Sequence, residues 1–399
     1  MSAEPEPPES PEPPEPPEPP EPAERRSRRA LPTVRLARPE DDPALCRLFA
    51  SVAMEGDLSL AVERTPEFFA LYRIQGDPYR TYLAELEGEI EGLATLIARP
   101  GWLEGQRQTV GYAGDLRLSP RVRGGFFLGR AYGPFLRQAF AGLGCEVAYT
   151  AILSSNRAAI RALVSRSPRF PEKPVYRPWR PYAITNLHLT RRRRPRACGV
   201  EVRTAGPDDL PAIAALLQRD HQGRPFGYAF DEALLRQRLR DWPGLTLERF
   251  YLAERAGQLV GVTAVWDPDP IKRFRVLAYK GRMRWIRRAF DLGALLLRYP
   301  RLPRPGQVLR YGYLTHVSVQ DEDPLVMGAL LDRIYCDLRR SGLHLLVGCL
   351  LEDDPLAPAW ARYLTTPVGA QLFTVSLPGS PWNERDPGPG RPGLEMALV

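Results

Sequence analysis

From Val34 onward the apolar positions of the chain switch between a period of two and a period near 3.6, the signatures of strands and helices. Val34-Arg35-Leu36 alternates, and Pro39-Glu40-Asp41-Asp42 then leads into the helix-periodic stretch Leu45 to Val52. Acidic residues there favour a helix N-terminus, where unpaired amides and the positive end of the dipole attract carboxylates. Tyr82–Leu86 and Ile90–Ala98 read as strands joined by a tight glycine turn. Asp115–Leu118 adds a strand, about Leu128–Ala141 a helix, Glu146–Leu153 a strand, and Tyr182–Leu189 a further alternating segment.

The pattern then starts again. Val200-Glu201-Val202, Pro207-Asp208-Asp209 and Leu210–Leu217 repeat the opening, and Phe250–Glu254 with Leu259–Trp266 repeat the hairpin. Six positions agree at an offset of 169 residues: Tyr82, Leu83, Ala84, Glu85, Gly88 and Gly92 match Tyr251, Leu252, Ala253, Glu254, Gly257 and Gly261. At Gly111-Tyr112 and Gly312-Tyr313 the offset has grown to 201, so the second copy carries 32 extra residues, within 267–307. Its later strand, helix and strand are His316–Val319, Leu325–Arg340 and Leu343–Leu351. This order predicts an α/β (α+β) chain of two tandem units, each a mixed, mostly antiparallel sheet flanked by helices.

Composition adds boundaries and exclusions. Residues 1–30 hold a PEPPEP run, with Glu at every third position from Glu6 to Glu21. Proline fixes φ and removes amide donors, so this tail is expected to be disordered or extended as a polyproline II rod. Arg191 to Arg194, followed by Pro195, mark a linker at 191–198 between units at 32–190 and 199–378, with a tail at 379–399. No run approaches the roughly 18 apolar residues of a membrane helix, and the N-terminus lacks the basic-then-apolar order of a secretory signal, which points to a cytoplasmic protein. Five scattered cysteines and four histidines give neither a disulfide framework nor metal-ligand spacing, so no metal site is expected. Met1 to Glu24 carry eight Glu and no basic residue, so beneath the net charge of +8 the rest of the chain stands at +16. No aromatic-basic stacking motif accompanies that charge, and no specific nucleic-acid partner is expected.

Candidate chemistry concentrates at SPRVRGGFFLG, Ser119 to Gly129. A pyrophosphate needs backbone N–H groups converging at a helix N-terminus, and glycine lets the backbone approach closely. The segment from Asp115 to Gly125, DLRLSPRVRGG, resembles the V-x-P-x-x-R-G-x-G-x-G motif of the GNAT superfamily of acyl-coenzyme A-dependent N-acyltransferases. Ser154–Ile160, SSNRAAI, resembles that family's N-x-x-A-I segment, and the order of elements is similar over most of Val34–Leu189 and, more loosely, Val200–Leu377.

The resemblance implies transfer of an acyl group, acetyl by expectation, from acetyl-CoA or another acyl-CoA to an amine acceptor by direct attack. It implies that Arg123, Gly124, Gly125, Phe126, Phe127 and Leu128 hold the pyrophosphate, that Leu116, Arg117 and Leu118 pair with the pantetheine arm, and that Asn156 contacts the cofactor. Asn156 or Ser155 also suits helix capping. Phe126 and Leu128 occupy the motif's two later glycine positions, and Leu163 stands where the family often has a tyrosine acid. Attack by a neutral amine asks for a base, for which Asp115 is the candidate, with Glu55 and Asp57 behind it. No Ser-His-Asp or Cys-His arrangement is suggested, which disfavours covalent catalysis.

The counterpart loop of the second copy, Val319-Gln320-Asp321-Glu322-Asp323-Pro324, has no glycine and three consecutive acids that would repel phosphate. That copy is therefore expected to be degenerate, with a structural or substrate-shaping task. In its insertion Arg282, Arg284, Arg287 and Arg288 interleave with Trp285, Ile286 and Phe290, a basic amphipathic helix that fits plain packing with a solvated basic face, or covering a cleft, selecting an acidic acceptor or touching a membrane. Two other readings stay open: a non-catalytic double domain that binds a ligand or partner, and an aminoacyl-tRNA-dependent transferase, a class that also uses paired GNAT-like domains.

Overall fold

The computed structural model describes residues 32–54, 56–123, 125–190, 193–195, 198–297 and 299–399; the proline-glutamate tail, Glu55, Gly124, Arg191 and Arg192 lie outside them. The first repeat comprises β1 (Thr33–Leu36), α1 (Asp42–Ser51), β2 (Leu58–Glu63), α2 (Ala70–Gln75), β3 (Tyr79–Leu86), β4 (Glu89–Leu103), β5 (Gln106–Leu118), α3 (Gly125–Leu143), β6 (Ala148–Leu153), α4 (Arg157–Val164) and β7 (Val175–His188). The second comprises β8 (Glu201–Thr204), α5 (Leu210–Gln222), β9 (Gly227–Tyr228), α6 (Glu232–Asp241), β10 (Phe250–Arg255) and β11 (Gln258–Trp266). The inserted β12 (Arg273–Tyr279), α7 (Met283–Leu297) and β13 (Val308–Leu309) follow, then β14 (Tyr311–Val319), α8 (Pro324–Leu338), β15 (Leu345–Leu351), α9 (Ala357–Trp360) and β16 (Thr365–Ser376).

Local chemistry explains the shared register. The β3–β4 and β10–β11 turns place Glu87-Gly88 and Ala256-Gly257 in the left-handed region, the conformation a two-residue hairpin needs. Each repeat also staples its first strand to its first helix. Arg35 pairs with Asp41 (2.8 Å) and Glu85 (2.6 Å), and Arg203 pairs with Asp209 (2.7 Å) and Glu254 (2.6 Å). The same aspartates accept the Arg38 and Gly206 amides at 2.7 Å, so the acidic pairs read from the sequence do sit at helix starts.

The main sheet runs β1-β3-β4-β5-β6-β16-β7-β15-β14-β11-β10-β8. Among the described residues only β5–β6 and β14–β15 are parallel; the other pairs are antiparallel. The seventh strands are exchanged. β7, from the first repeat, hydrogen-bonds to β15 of the second, while β16 inserts between β6 and β7. The long antiparallel β7–β16 pair is the centre of an approximately two-fold arrangement, and its exchange gives each strand a hydrogen-bonded neighbour on both sides.

The insertion does not stay on its own repeat. β12 pairs with β2 of the first in a separate three-stranded sheet, β13-β12-β2, running from Arg273 opposite Glu63 to Tyr279 opposite Leu58. Arg275 ion-pairs with Glu63 across that junction. One residue beyond, the register brings Lys272 of the insertion to Arg64 of the first repeat.

Candidate active site

The parallel strands β5 and β6 are bonded only at Gly111–Ala148 and Tyr112–Tyr149 and then diverge, which leaves the outer edge of Ala113–Leu118 without a neighbouring strand. Opposite β4, two residues, Asp115 and Leu116, face one, Ala94: a β-bulge. Asp115 takes φ 53° there, a left-handed conformation that costs an L-residue roughly 1–2 kcal/mol.

The bulge aims the Asp115 carboxylate into a cluster of charge. Arg64 donates to it at 2.6 Å and the Tyr72 hydroxyl at 2.8 Å, while Thr95 donates to the Tyr72 oxygen at 3.1 Å. Arg64 is 3% exposed and lies among the rings of Phe49, Phe68 and Tyr72, its carbon 4.5 to 5.1 Å from their centres. Burial by itself would raise the Asp115 pKa, but Arg64 and Arg117 outweigh it and hold the carboxyl below its ordinary value. Asp115 is therefore an anion tied to a guanidinium, and correspondingly a weak base.

Lys272 completes the cluster. Its ammonium donates to the main-chain oxygen of Val399 at 2.7 Å and lies over Phe274 and Tyr313. Burial, then Arg64 and Arg117 against the opposing pull of Asp115, bring its pKa down to about 7. No sequence pattern pointed to Arg64, Tyr72 or Lys272. The available signal was that Lys272 is one of only three lysines in the chain.

The loop residues separate by direction. Ser119 accepts the Val122 and Arg123 amides at 3.3 and 2.9 Å, closing a tight turn before α3. Arg121 is spent on Glu87 and Glu91, whereas exposed Arg123 donates to the Leu118 carbonyl at 3.2 Å. Gly125 opens α3, and a helix's first amides have no partner within the helix. Phe127 and Leu128 turn toward the sheet: both line a shallow apolar groove between α3 and β3–β5, with Leu116 and Leu118 among its other walls. Gly124 lies outside the described residues.

The remaining candidates are spread out. Arg117 turns away from the groove, donating to the Phe49 and Val52 carbonyls and stacking on Phe49 at 3.6 Å. Asn156 caps α4, its side-chain oxygen accepting the Ala159 amide at 3.1 Å. Leu163 is buried in the core beneath α3. Asp57 accepts the Lys280 amide through its backbone, outside the Asp115 cluster; Glu55 is not among the described residues.

The second repeat has the same scaffold with other chemistry. β14 and β15 also part after three pairs, and His316 holds the bulge at φ 52°. Buried Arg238, caged by Tyr228, Phe230 and Trp242, donates to His316 Nε2 at 3.0 Å, which leaves Nδ1–H to donate to the Thr315 hydroxyl at 2.8 Å. The His316 amide donates to the Glu395 carboxylate at 3.1 Å, and Arg391, Pro392 and Leu394 to Met396 line a small cleft between the parted strands. At the helix terminus Asp323 accepts the Leu325 amide at 2.8 Å and pairs with Arg255, and Pro324 has no amide to offer. A carboxylate already holds the place a phosphate would need.

No protein-family model matches the chain, and no curated protein matches it. Solved structures do. A GCN5-related N-acetyltransferase from Sphaerobacter thermophilus is 16% identical, with 92% of this chain and 98% of that one covered at a TM-score of 0.54. N-myristoyltransferase from Saccharomyces cerevisiae, solved with bound myristoyl-CoA, is 11% identical over 88% of this chain and 80% of its own, at a TM-score of 0.56. A tandem GNAT protein from the clavulanic acid biosynthesis pathway is 11% identical over 87% and 99%, at 0.52. Parted parallel strands, duplicated around an exchanged strand pair and matched along nearly the whole chain, make this a tandem GNAT-fold protein.

Proposed function

We propose that the protein is a cytoplasmic N-acyltransferase whose first repeat passes an acyl group, acetyl in the first instance, from acyl-CoA to an amine. The observation that carries this reading is the contrast between two equivalent helix starts. In the first repeat the strand-to-helix loop offers Arg123 and the opening amides of α3, with Phe127 and Leu128 drawn away toward the sheet. In the second, Asp323 and Pro324 fill the same place. Arg123 and the opening amides of α3 suit a pyrophosphate, with the free edge of Leu116–Leu118 for the pantetheine arm and Asn156 as a further candidate contact; the residues of the second repeat do not. Bound there, acyl-CoA would supply an activated thioester.

In this reading Asp115 attracts and orients the acceptor's ammonium, because a carboxylate held low by Arg64 keeps its charge but binds a proton weakly. Lys272, close to half-neutral at neutral pH, is the better proton acceptor. Titration calorimetry with acetyl-CoA tests the proposal. Micromolar binding that Gly124→Glu abolishes is the expected outcome; no heat at millimolar coenzyme would overturn it.

A further inference from the structure

The inserted helix α7 carries apolar side chains on both sides. Of the ten large hydrophobic residues exposed among the described residues, four lie on it: Trp285 at 68%, Ile286 at 50%, and Leu292 and Leu295 at 63% each. Its inner face is accounted for. Ala294 is 5% exposed, Phe290 packs on Tyr299 and His188, and Arg287 lies over Tyr279. At 100° per residue, Trp285 and Leu292 stand about 180° and 160° round the helix from Ala294, facing outward. A helix that only packed on the sheet would put polar residues there.

The segment that carries that face is strongly basic. Between Lys280 and Arg304 the sequence holds eight basic residues and a single acid, Asp291, which is 3.6 Å from Arg287. Arg288 stacks on Trp285 at 4.8 Å, so cation and aromatic ring occupy the same edge. The chain's own acidic tail matches this charge but not the apolar face, since Met1 is the one large apolar side chain among its first 24 residues. Nucleic acid would likewise leave Leu292 and Leu295 in water. A bilayer with anionic headgroups satisfies both: leucines and tryptophan enter the acyl boundary while arginines remain at the phosphates.

We infer that α7 seats the protein peripherally on an anionic lipid surface, lying in the plane of the interface. The helix is 15 residues long, too short to span a bilayer. The inference is independent of any acyltransferase activity, and so is its test. The full chain is sedimented with phosphatidylcholine vesicles with and without about 30% phosphatidylglycerol, at low and high salt. Expected are partitioning onto the anionic vesicles and a loss of about tenfold or more on neutral vesicles, at high salt, and in Leu292→Glu and Trp285→Ser. Both positions are exposed, and an unchanged circular dichroism spectrum checks that each variant is folded. No partitioning onto anionic vesicles, equal partitioning onto neutral ones, or indifference to both substitutions overturns the inference.

Discussion

Replacing Lys272 with methionine keeps most of the side chain's volume while removing its charge and its hydrogen bond to Val399. In the folded chain the ammonium loses hydration and faces Arg64 and Arg117, with Asp115 giving back only part of that cost, so its pKa falls from 10.5 to about 7. At about 1.36 kcal/mol per tenfold change in proton affinity, this corresponds to about 5 kcal/mol. Below about pH 7 both folded and unfolded chains hold the proton and the whole cost is present. Between about pH 7 and the ordinary lysine value the folded chain has released the proton while the unfolded chain retains it. The unfolded state thus binds more protons in that window, and stability rises with pH until the cost has gone. Urea titrations from about pH 6 to about pH 10 should show Lys272→Met losing this rise. At the acid end the variant should be the more stable by that cost of about 5 kcal/mol less about 1.5–3 kcal/mol for the lost hydrogen bond of a charged donor. Parallel stability curves for the two proteins would refute the reasoning, because they would mean that Lys272 titrates as an ordinary lysine.

Two further substitutions test the packing around the bulge and the join between repeats. Asp115→Asn leaves the buried Arg64 guanidinium without its counter-charge and should cost about 3–5 kcal/mol in urea denaturation, part of it recovered when Arg64→Met is added; a loss within experimental error would show that the pair is solvated. Gly227→Ala should destabilise by more than about 2 kcal/mol, because the new Cβ would lie 1.9 Å from the His221 carbonyl oxygen and 2.9 Å from that of Arg224, both backbone atoms that cannot step aside. A melting temperature within roughly two degrees of the parent's would contradict that geometry.

What the sequence discloses is whatever is local. The repeated hairpins follow from period two and a glycine turn, and Asp41 and Asp209 mark helix starts, because a helix terminus attracts charge wherever it occurs. Asp115 stood out by its place before the loop. Arg64 and Lys272 did not, because each lies one residue beyond the end of its strand, β2 or β12, and the strand register that joins them links residues more than 200 positions apart. The exchange of β7 and β16 was hidden for a related reason. A buried strand satisfies the same alternation beside β6 or β15, so the pattern fixes the strand but not its neighbour.

The second repeat shows which part of this arrangement belongs to the scaffold. His316 keeps the left-handed bulge at the same place as Asp115, although Asp323 and Pro324 block its helix terminus and Glu395 occupies the bulge amide. Coenzyme binding alone therefore gives no reason for that strain to persist. Both bulges do share a buried arginine in an aromatic cage, Arg64 beneath Asp115 and Arg238 beneath His316, each reaching the bulged side chain. A regular strand would turn that side chain to the other face and strand a buried guanidinium, a larger cost than one left-handed residue. The arginine and the bulge thus hold each other in place, and what differs between the repeats is the side chain at the bulge: an anion in the first, a neutral imidazole in the second, whose pKa burial and Arg238 hold well below its ordinary value.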